Sequence, residues 1–167
     1  MDIERITCIK EVHPGNGKGP SAEVILADAT VTARRLAEER PGSLQLVYID
    51  PPFNTGQEFF YRQPVGASGY GGDAKRQIAH IAYTDRFTGG RAGYIDMMRS
   101  VLTSAHALLD AKGSIYVHVD YRASAHIRML LDDIFGEDNF INEIVWHYRS
   151  GGRATRHYSR KHDTIFF

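Results

Sequence analysis

The feature that most constrains the fold of this 167-residue chain is the alternation of short apolar runs with helix-period segments. Leu44–Ile49 (LQLVYI) is almost continuously apolar, which is typical of a strand buried on both faces of a parallel sheet. A similar run over residues 114–119 predicts a second strand, and residues 22–27 predict a short one ahead of both. Apolar residues recur at helical spacing over 91–111, and a helix over 31–40 is predicted from the capping residues before it and Pro41-Gly42 after it. The order favours an α/β fold.

The rest of the chain extends this pattern. A third helix is predicted over 121–135, and further strands over 140–148 and from Thr164. Asp28 or Thr30 is expected to cap the first helix and Asp120 the third, whereas Pro41-Gly42, Lys112-Gly113 and Gly136 are expected to end the helices. We therefore predict a single domain over 1–167. It is a partial doubly wound, Rossmann-like sheet in a three-layer α/β/α arrangement, with ligands beyond the carboxyl ends of the strands.

Residues 51–90 show no convincing periodicity and include the glycine-rich sequence GASGYGG at 66–72. Loops of this length are usually functional, or disordered until a ligand binds. We predict a long flexible loop that follows the strand Leu44–Ile49, is mobile without ligands and orders as a lid over the substrate.

Composition excludes several classes of protein. Twenty basic and twenty acidic residues cancel, and Cys8 is the one cysteine, so neither a disulfide framework nor a multi-thiolate zinc site can form within the chain. No apolar run is long enough to span a membrane, and the polar N-terminus lacks a signal-peptide core, so we expect a cytoplasmic protein. His157, His162 and Asp163 match no standard metal-site spacing, and no metal is predicted.

The charge distribution is more informative than the total. Residues 1–143 carry fifteen basic and nineteen acidic residues, whereas residues 144–162 carry five basic and no acidic ones. Tyrosines lie among these basic residues, a mixture suited to phosphate contact and base stacking. The alternative is a solvated loop with scattered charge. We predict a basic DNA-contacting loop over 147–162, formed by Arg149, Arg153, Arg156, Arg160 and Lys161.

The sharpest motif is Asp50-Pro51-Pro52-Phe53, directly after the strand Leu44–Ile49. Two prolines fix two φ angles and remove two amide donors, which leaves a rigid turn rich in carbonyl acceptors. The Asp50 carboxylate adds a second acceptor, and Phe53 adds a flat ring. Together they would suit a planar heterocycle with an exocyclic amino group, whose nitrogen could then attack an electrophilic methyl carbon. The alternative is an ordinary turn after a strand.

A resemblance extends this interpretation. LVYIDPPFNTG (46–56) resembles the catalytic motif of β-type amino-group DNA methyltransferases, especially type III restriction-modification Mod subunits and related site-specific adenine methyltransferases. The segments YIDMMRSVLTSAHALL (94–109), GSIYVHVD (113–120), LLDDIFGEDNFINEIVW (130–146) and KHDTIFF (161–167) resemble the segments that follow in that family, in the same order.

The resemblance implies methyl transfer from S-adenosylmethionine to N6 of an adenine flipped out of double-stranded DNA, in a restriction-modification system with a possible restriction subunit. Asp50 and the Pro51 carbonyl are implied to hold the amine, and Phe53 to stack on the base. The implied substrate-contacting residues are Asn54, Thr55 and Gly56, and the implied cofactor-binding residues are Asp28, Asp50 and Asp120. His118 either lines the same pocket or packs in the core.

Family members also carry a recognition region and a Phe-x-Gly-x-Gly loop for the cofactor after the catalytic half. This chain contains no such loop, so we expect the catalytic N-terminal half only, completed by a C-terminal half or a second subunit. An aspartate at the first motif position favours adenine. The alternatives are a cytosine-N4 or RNA adenine methyltransferase, and a truncated, non-catalytic DNA-binding fragment or subunit that needs a partner.

Overall fold

The computed structural model describes residues 7–12, 22–64, 77–149 and 155–167. Within these ranges the chain forms eight strands and three helices. The strands are β1 (Thr7–Val12), β2 (Ala22–Leu26), β3 (Leu44–Ile49), β4 (Glu58–Pro64), β5 (Gln77–Thr84), β6 (Leu109–Val119), β7 (Glu143–His147) and β8 (His162–Phe166). The helices are α1 (Ala29–Glu39), α2 (Arg91–Leu108) and α3 (Ser124–Phe135), and a short 3-10 turn, Glu137–Asn139, follows α3.

The principal sheet has four strands in the order β3-β6-β8-β7. β3 and β6 are parallel, whereas β8 is antiparallel to both of its neighbours. The α/β class is therefore confirmed. The sheet is mixed in the described residues, where β3 and β6 form its parallel pair and α2 lies between them in the chain. The doubly wound, Rossmann-like arrangement stays a prediction.

The strand predicted over 22–27 is present as β2, but it lies outside this sheet. It pairs antiparallel with β1, a strand that we did not predict, to form a separate two-stranded sheet. Val24 and Leu26 are largely exposed on it. An apolar alternation of five residues is compatible with several partners, and here the neighbouring hairpin strand decides the pairing.

The helix α1 forms close to its predicted position because its amino end is capped. The Asp28 carboxylate accepts hydrogen bonds from the backbone N–H groups of Thr30 and Val31, at 2.8 and 3.3 Å. Asp28, rather than Thr30, is therefore the cap. At the other end, Gly42 adopts φ +63°, and its N–H donates to the Ala107 carbonyl, which ties the end of α1 to α2.

The helix break predicted at Lys112-Gly113 is wrong. α2 ends at Leu108, and β6 starts at Leu109 and continues through Gly113. A Cβ atom at Gly113 would lie 2.8 Å from a Leu109 methyl group and 2.9 Å from the Leu44 carbonyl oxygen. This glycine therefore permits the close approach of β3 and β6 rather than ending a helix.

The third helix begins later than predicted, at Ser124, and Asp120 is not its cap residue. The Asp120 carboxylate accepts from the Arg122 N–H at 2.8 Å, and its carbonyl accepts from the N–H groups of Ala123 and Ser124. Asp120 thus stabilises the turn that precedes α3. At the carboxyl end, Gly136 adopts φ +89°, as predicted for a residue that ends a helix.

The hydrophobic core lies on one face of the principal sheet, beneath α2 and α3. Its sheet residues are Val117, Val119 and Phe166, and its main helix residues are Tyr94, Met98, Leu102, Ile127 and Leu130. On the opposite face, Leu46 and Tyr48 are 58% and 57% exposed. The described residues therefore form two layers rather than the predicted three. β3 is an edge strand, because β6 is its only partner in the described sheet. One face of β3 is covered and the other is exposed.

The stretch 51–90 is not one irregular loop. Its described part contains β4 and β5, which pair antiparallel from Glu58 opposite Thr84 to Pro64 opposite Gln77. Aromatic residues in β4, and isoleucines with Tyr83 and Thr84 in β5, favour strands. The two strands form because each supplies the hydrogen-bonding partner of the other. The glycine-rich 66–72 lies outside the described residues, and the mobility of the stretch stays a prediction. None of the described helices is both long and apolar enough to cross a bilayer.

Candidate active site at the carboxyl edge of the sheet

The motif turn begins at Asp50, immediately after β3, and reverses direction through two unusual backbone conformations. Asn54 and Gly56 have φ of +55° and +72°. Asparagine and glycine are the residues that tolerate this left-handed region best, which explains their presence at these two positions. Pro51, Pro52 and Phe53 are half-buried in the turn.

A buried carboxylate holds the second half of this turn in place. Asp85 is 1% exposed. Its Oδ1 accepts from the Asn54 N–H at 2.8 Å, and its Oδ2 accepts from the Thr55 N–H at 2.6 Å and the Thr55 hydroxyl at 2.5 Å.

The backbone of Asp85 also bonds to the turn. Its carbonyl accepts from the Gly56 N–H at 3.2 Å, and its N–H donates to the Gln57 carbonyl at 2.9 Å. Asp85 directly follows β5, so the hairpin that starts after the turn returns to clamp it. Sequence analysis missed Asp85 because residues 51–90 were interpreted as a loop. The local signal available was a lone acid between an apolar segment and a helix.

His118, near the end of β6, contacts both the motif and a strand on its far side. Its Nδ1 lies 3.1 Å from Asp50 Oδ1, and its Nε2 lies 3.4 Å from Asp163 Oδ2. The Phe53 ring meets the imidazole edge-on, with centroids 5.3 Å apart. Of the two interpretations left open by the sequence, the structure supports a place beside the motif.

Asp120 ends β6 next to this group, and it is buried against Arg122, whose guanidinium donates to its carboxylate. Two guanidinium groups lie over the aromatic ring of Tyr121. Arg122 is 4.7 Å and Arg160 is 4.2 Å from the ring centroid. This stacking brings one residue of the basic segment to the carboxyl edge of the sheet.

Tyr94 lies in the core near both buried acids. It is 1% exposed, and its hydroxyl has no hydrogen-bond partner among the described residues. Burial raises the pKa of the Tyr94 phenol, and the negative charges of Asp85 and Asp120 raise it further. Tyr94 therefore stays neutral and packs Phe87 edge-on rather than serving as a base.

Tyr148 lies near the start of the basic segment. Burial is the main cause of its raised pKa, the charges of Asp163 and Asp120 raise the pKa further, and the charge of Arg122 lowers it. In that segment Arg149, Arg156 and Arg160 are exposed, Lys161 is half-buried and Arg153 lies outside the described residues.

Asp28 is occupied as the cap of α1, and the Thr30 hydroxyl is the main cause of its lowered pKa. Its predicted cofactor contact stays a prediction.

The family model described as DNA methylase matches residues 44–167. Type II methyltransferase M.KpnI of Klebsiella pneumoniae is 28% identical over 146 residues, which cover 87% of this chain and 31% of that protein. Type II methyltransferase M.EcaI of Enterobacter cloacae is 33% identical over 132 residues, or 79% of this chain and 25% of that protein.

A type III relative is also similar. The probable type III restriction-modification enzyme HindVI Mod subunit of Haemophilus influenzae is 30% identical over 129 residues, covering 77% of this chain and 14% of that protein. The family model covers most of this chain, so the chain belongs to the DNA methylase family. The resemblance inferred from the motifs is confirmed. The matched region spans less than a third of the length of each of these relatives.

Proposed function

We propose that this chain carries the amine-binding site of an S-adenosylmethionine-dependent DNA methyltransferase that methylates N6 of adenine within a restriction-modification system. One observation supports this most strongly. Asp50 emerges at the carboxyl end of β3 with its side chain 60% exposed, next to Phe53 and with its Oδ1 held by His118. The site thus presents a fixed acceptor and a ring together, as an aminated heterocycle requires.

The acceptor groups of the turn can hold both hydrogens of an exocyclic amine. The second Asp50 oxygen accepts one hydrogen, and the Pro51 carbonyl accepts the other, since the following proline has no N–H to compete for it. The Phe53 ring packs against the base plane. An amine held through both hydrogens directs its lone pair away from the turn, which is the orientation that nucleophilic attack needs.

The acids present fit a sulfonium cofactor. Asp50 and Asp120 follow two adjacent parallel strands, where ligands of open α/β sheets bind. The exposed Asp50 carboxylate would attract the positive sulfur centre. Asp120, which is buried and paired with Arg122, would border the cofactor site. When bound there, S-adenosylmethionine would supply the electrophilic methyl group for the amine nitrogen, and its sulfur would keep the electron pair of the broken bond. Asp50 is the adjacent base for the proton that the methylated nitrogen then releases.

The basic segment supports DNA as the substrate. Exposed arginines precede β8 at the same edge of the sheet as Asp50, and Arg160 stacks on Tyr121 there. Such residues bind phosphates without reading sequence. The target base must leave the helix to reach a turn beside a packed sheet, so the proposed mechanism includes base flipping. A restriction subunit is the corresponding partner, in line with the type III relatives.

The test uses the protein expressed from its natural reading frame, with labelled S-adenosylmethionine, unmethylated duplex DNA and an RNA of the same sequence. Nucleoside mass spectrometry should find N6-methyladenine in the DNA product. We expect Asp50→Ala to lower the rate on the order of 10²–10³-fold, as loss of a preorganised hydrogen-bonding group does. Asp138→Ala, an exposed acid before β7, is the matched control and should leave the rate unchanged.

The alternatives each give a different outcome. N4-methylcytosine, or methylation of the RNA alone, would show that the acceptor is assigned wrongly. Salt-dependent DNA binding without methyl transfer would favour the non-catalytic alternative. Full activity of Asp50→Ala would remove this turn from the mechanism.

A further inference from the structure

Three side chains from three neighbouring strands meet at the carboxyl edge of the sheet. Asp50 follows β3, His118 belongs to β6, and Asp163 belongs to β8. Ile49 is opposite Val117 and His118 is opposite Ile165 in the strand registers. Side chains alternate along a strand, so all three project from the face that carries Tyr48 and Tyr116, away from the helices.

The distances place the imidazole between two carboxylates. His118 Nδ1 is 3.1 Å from Asp50 Oδ1. Nε2 is buried and makes no hydrogen bond among the described residues, but Asp163 Oδ2 lies within ion-pair range, at 3.4 Å. An ionised carboxylate only accepts hydrogen bonds, so the nitrogen that meets Asp50 must carry a proton. A proton on Nε2 in addition would point at Asp163.

Exposure changes along this row of groups. The Asp50 side chain is 60% exposed, whereas those of His118 and Asp163 are 19% and 18% exposed. The imidazole is therefore held on the inner side of Asp50, and the solvent side of the carboxylate stays open. The Phe53 ring touches the same imidazole, so one residue contacts both the amine acceptor and the ring of the motif.

We propose that His118 is a positioning residue, which fixes Asp50 Oδ1 through its Nδ1–H so that Oδ2 is directed at the substrate amine, and that Asp163 restrains His118 from β8. This assignment rests on the proposed function, since it gives Asp50 the role of amine acceptor. A carboxylate held by one hydrogen bond has fewer rotamers to lose when the amine binds. His118 itself does not touch the substrate.

The matched variants are His118→Ala and His118→Asn, in the protein from its natural reading frame. An asparagine amide donates close to the place of Nδ1–H but is too short to reach Asp163. We expect His118→Ala to lower kcat roughly 100-fold while KM for DNA changes by less than about 3-fold. The kcat of His118→Asn should be about 10-fold higher than that of His118→Ala. Asp163→Asn should have an effect smaller than that of His118→Ala.

Two kinetic outcomes would overturn the proposal. The first is a His118→Ala enzyme as fast as the parent. The second is an equal loss of rate in His118→Ala and His118→Asn when both have the parent's thermal unfolding midpoint, because that would show a packing role alone.

A second measurement does not depend on activity. Long-range ¹H–¹⁵N spectra of the histidine rings report which nitrogen is protonated, and His118→Gln assigns the signal. We expect a protonated Nδ1 on His118 that responds to Asp50→Asn, while His106, packed on Phe135 at the other end of β6, does not respond. An unprotonated Nδ1 contradicts the proposal even in an active enzyme. If the parent transfers no methyl group, the proposed function fails, and this spectrum still decides whether His118 holds Asp50.

Discussion

Asp28 and Asp85 receive the same set of hydrogen bonds in very different surroundings. Each carboxylate accepts from two backbone N–H groups and one threonine hydroxyl. The donors of Asp28 are two and three residues away, at the exposed start of α1. The donors of Asp85 are thirty and thirty-one residues away, in the motif turn, and Asp85 itself is buried.

The difference shows that the number of hydrogen bonds to a residue does not determine how much that residue contributes to stability and to the site. At Asp28 water can replace the lost acceptor, and the helix merely frays at its end. At Asp85 the donors face a buried site. An N–H group left there without an acceptor lowers the stability of the fold by its full desolvation energy. The turn at Asp85 also carries Asp50 and Phe53, so an error there displaces the groups that meet the substrate.

The largest effect is expected for Asp85→Ala. Removing the buried acceptor leaves two N–H groups and a hydroxyl unpaired, and we expect the free energy of unfolding to fall by about 3 kcal/mol. Methyl transfer should fall by roughly 100-fold as the turn loses its shape. Chemical denaturation and initial rates measure the two effects. A variant of unchanged stability and rate would mean that the turn does not need its clamp.

The second-largest effect is expected for Phe53, whose ring lies in the turn that Asp85 holds. Phe53→Ala should remove a stacking surface worth about 1–3 kcal/mol per base, and so lower kcat/KM about 10- to 100-fold. Phe53→Tyr is the matched control, because it keeps the ring, and it should stay within about 3-fold of the parent. Equal rates in both variants and the parent would show that Phe53 does not contact the base.

Asp28→Ala is the direct counterpart of Asp85→Ala. Loss of an exposed helix cap should lower the free energy of unfolding by about 1 kcal/mol. The methylation rate of the same variant tests the cofactor contact predicted for Asp28. The pKa of Asp28 is lowered in the folded protein, mainly by the Thr30 hydroxyl, so its stabilising effect is present at neutral pH.

The same contribution is lost on acidification, as the pH falls below the ordinary carboxyl value of 3.8 and through the lower folded pKa. Denaturation curves of the parent and Asp28→Ala should therefore converge towards low pH. A large loss of activity in Asp28→Ala at neutral pH would instead support the cofactor contact predicted for this residue and would break the contrast with Asp85.

The smallest effect is expected in the basic segment, where charge matters more than exact position. Arg156→Ala should weaken DNA binding a few-fold, equally for all sequences, and reduce the slope of log affinity against log salt by about 1. Titrations at several salt concentrations measure both quantities. Arg35→Ala, on the exposed surface of α1 and paired with Glu39, is the control. Equal slopes for the two variants would remove Arg156 from the DNA-binding surface.

The parts of this protein that local sequence could predict are those governed by near neighbours. The helices α1, α2 and α3, the strands β3 and β8, the cap at Asp28 and the left-handed Gly136 all follow from periodicity or from residues within one helical turn. The motif turn belongs to the same group, because two prolines after an apolar strand restrict the backbone by themselves.

Long-range contacts account for what the sequence did not predict. β4 and β5 stabilise each other across a hairpin, β2 finds its partner in β1, and β3 becomes an edge strand because of the sheet order. Gly113 looked like a helix stop, yet its lack of a side chain allows the close packing of two strands.

The sequence by itself determined the α/β alternation, the family and the motif turn, because these depend on residues adjacent in the chain. Only the tertiary structure decided that Asp85 holds that turn and that His118 lies between Asp50 and Asp163. Asp50 and His118 are 68 residues apart in the chain. Such contacts depend on which strands become neighbours, and that choice is made by the packing of the whole sheet rather than by the preference of any one segment.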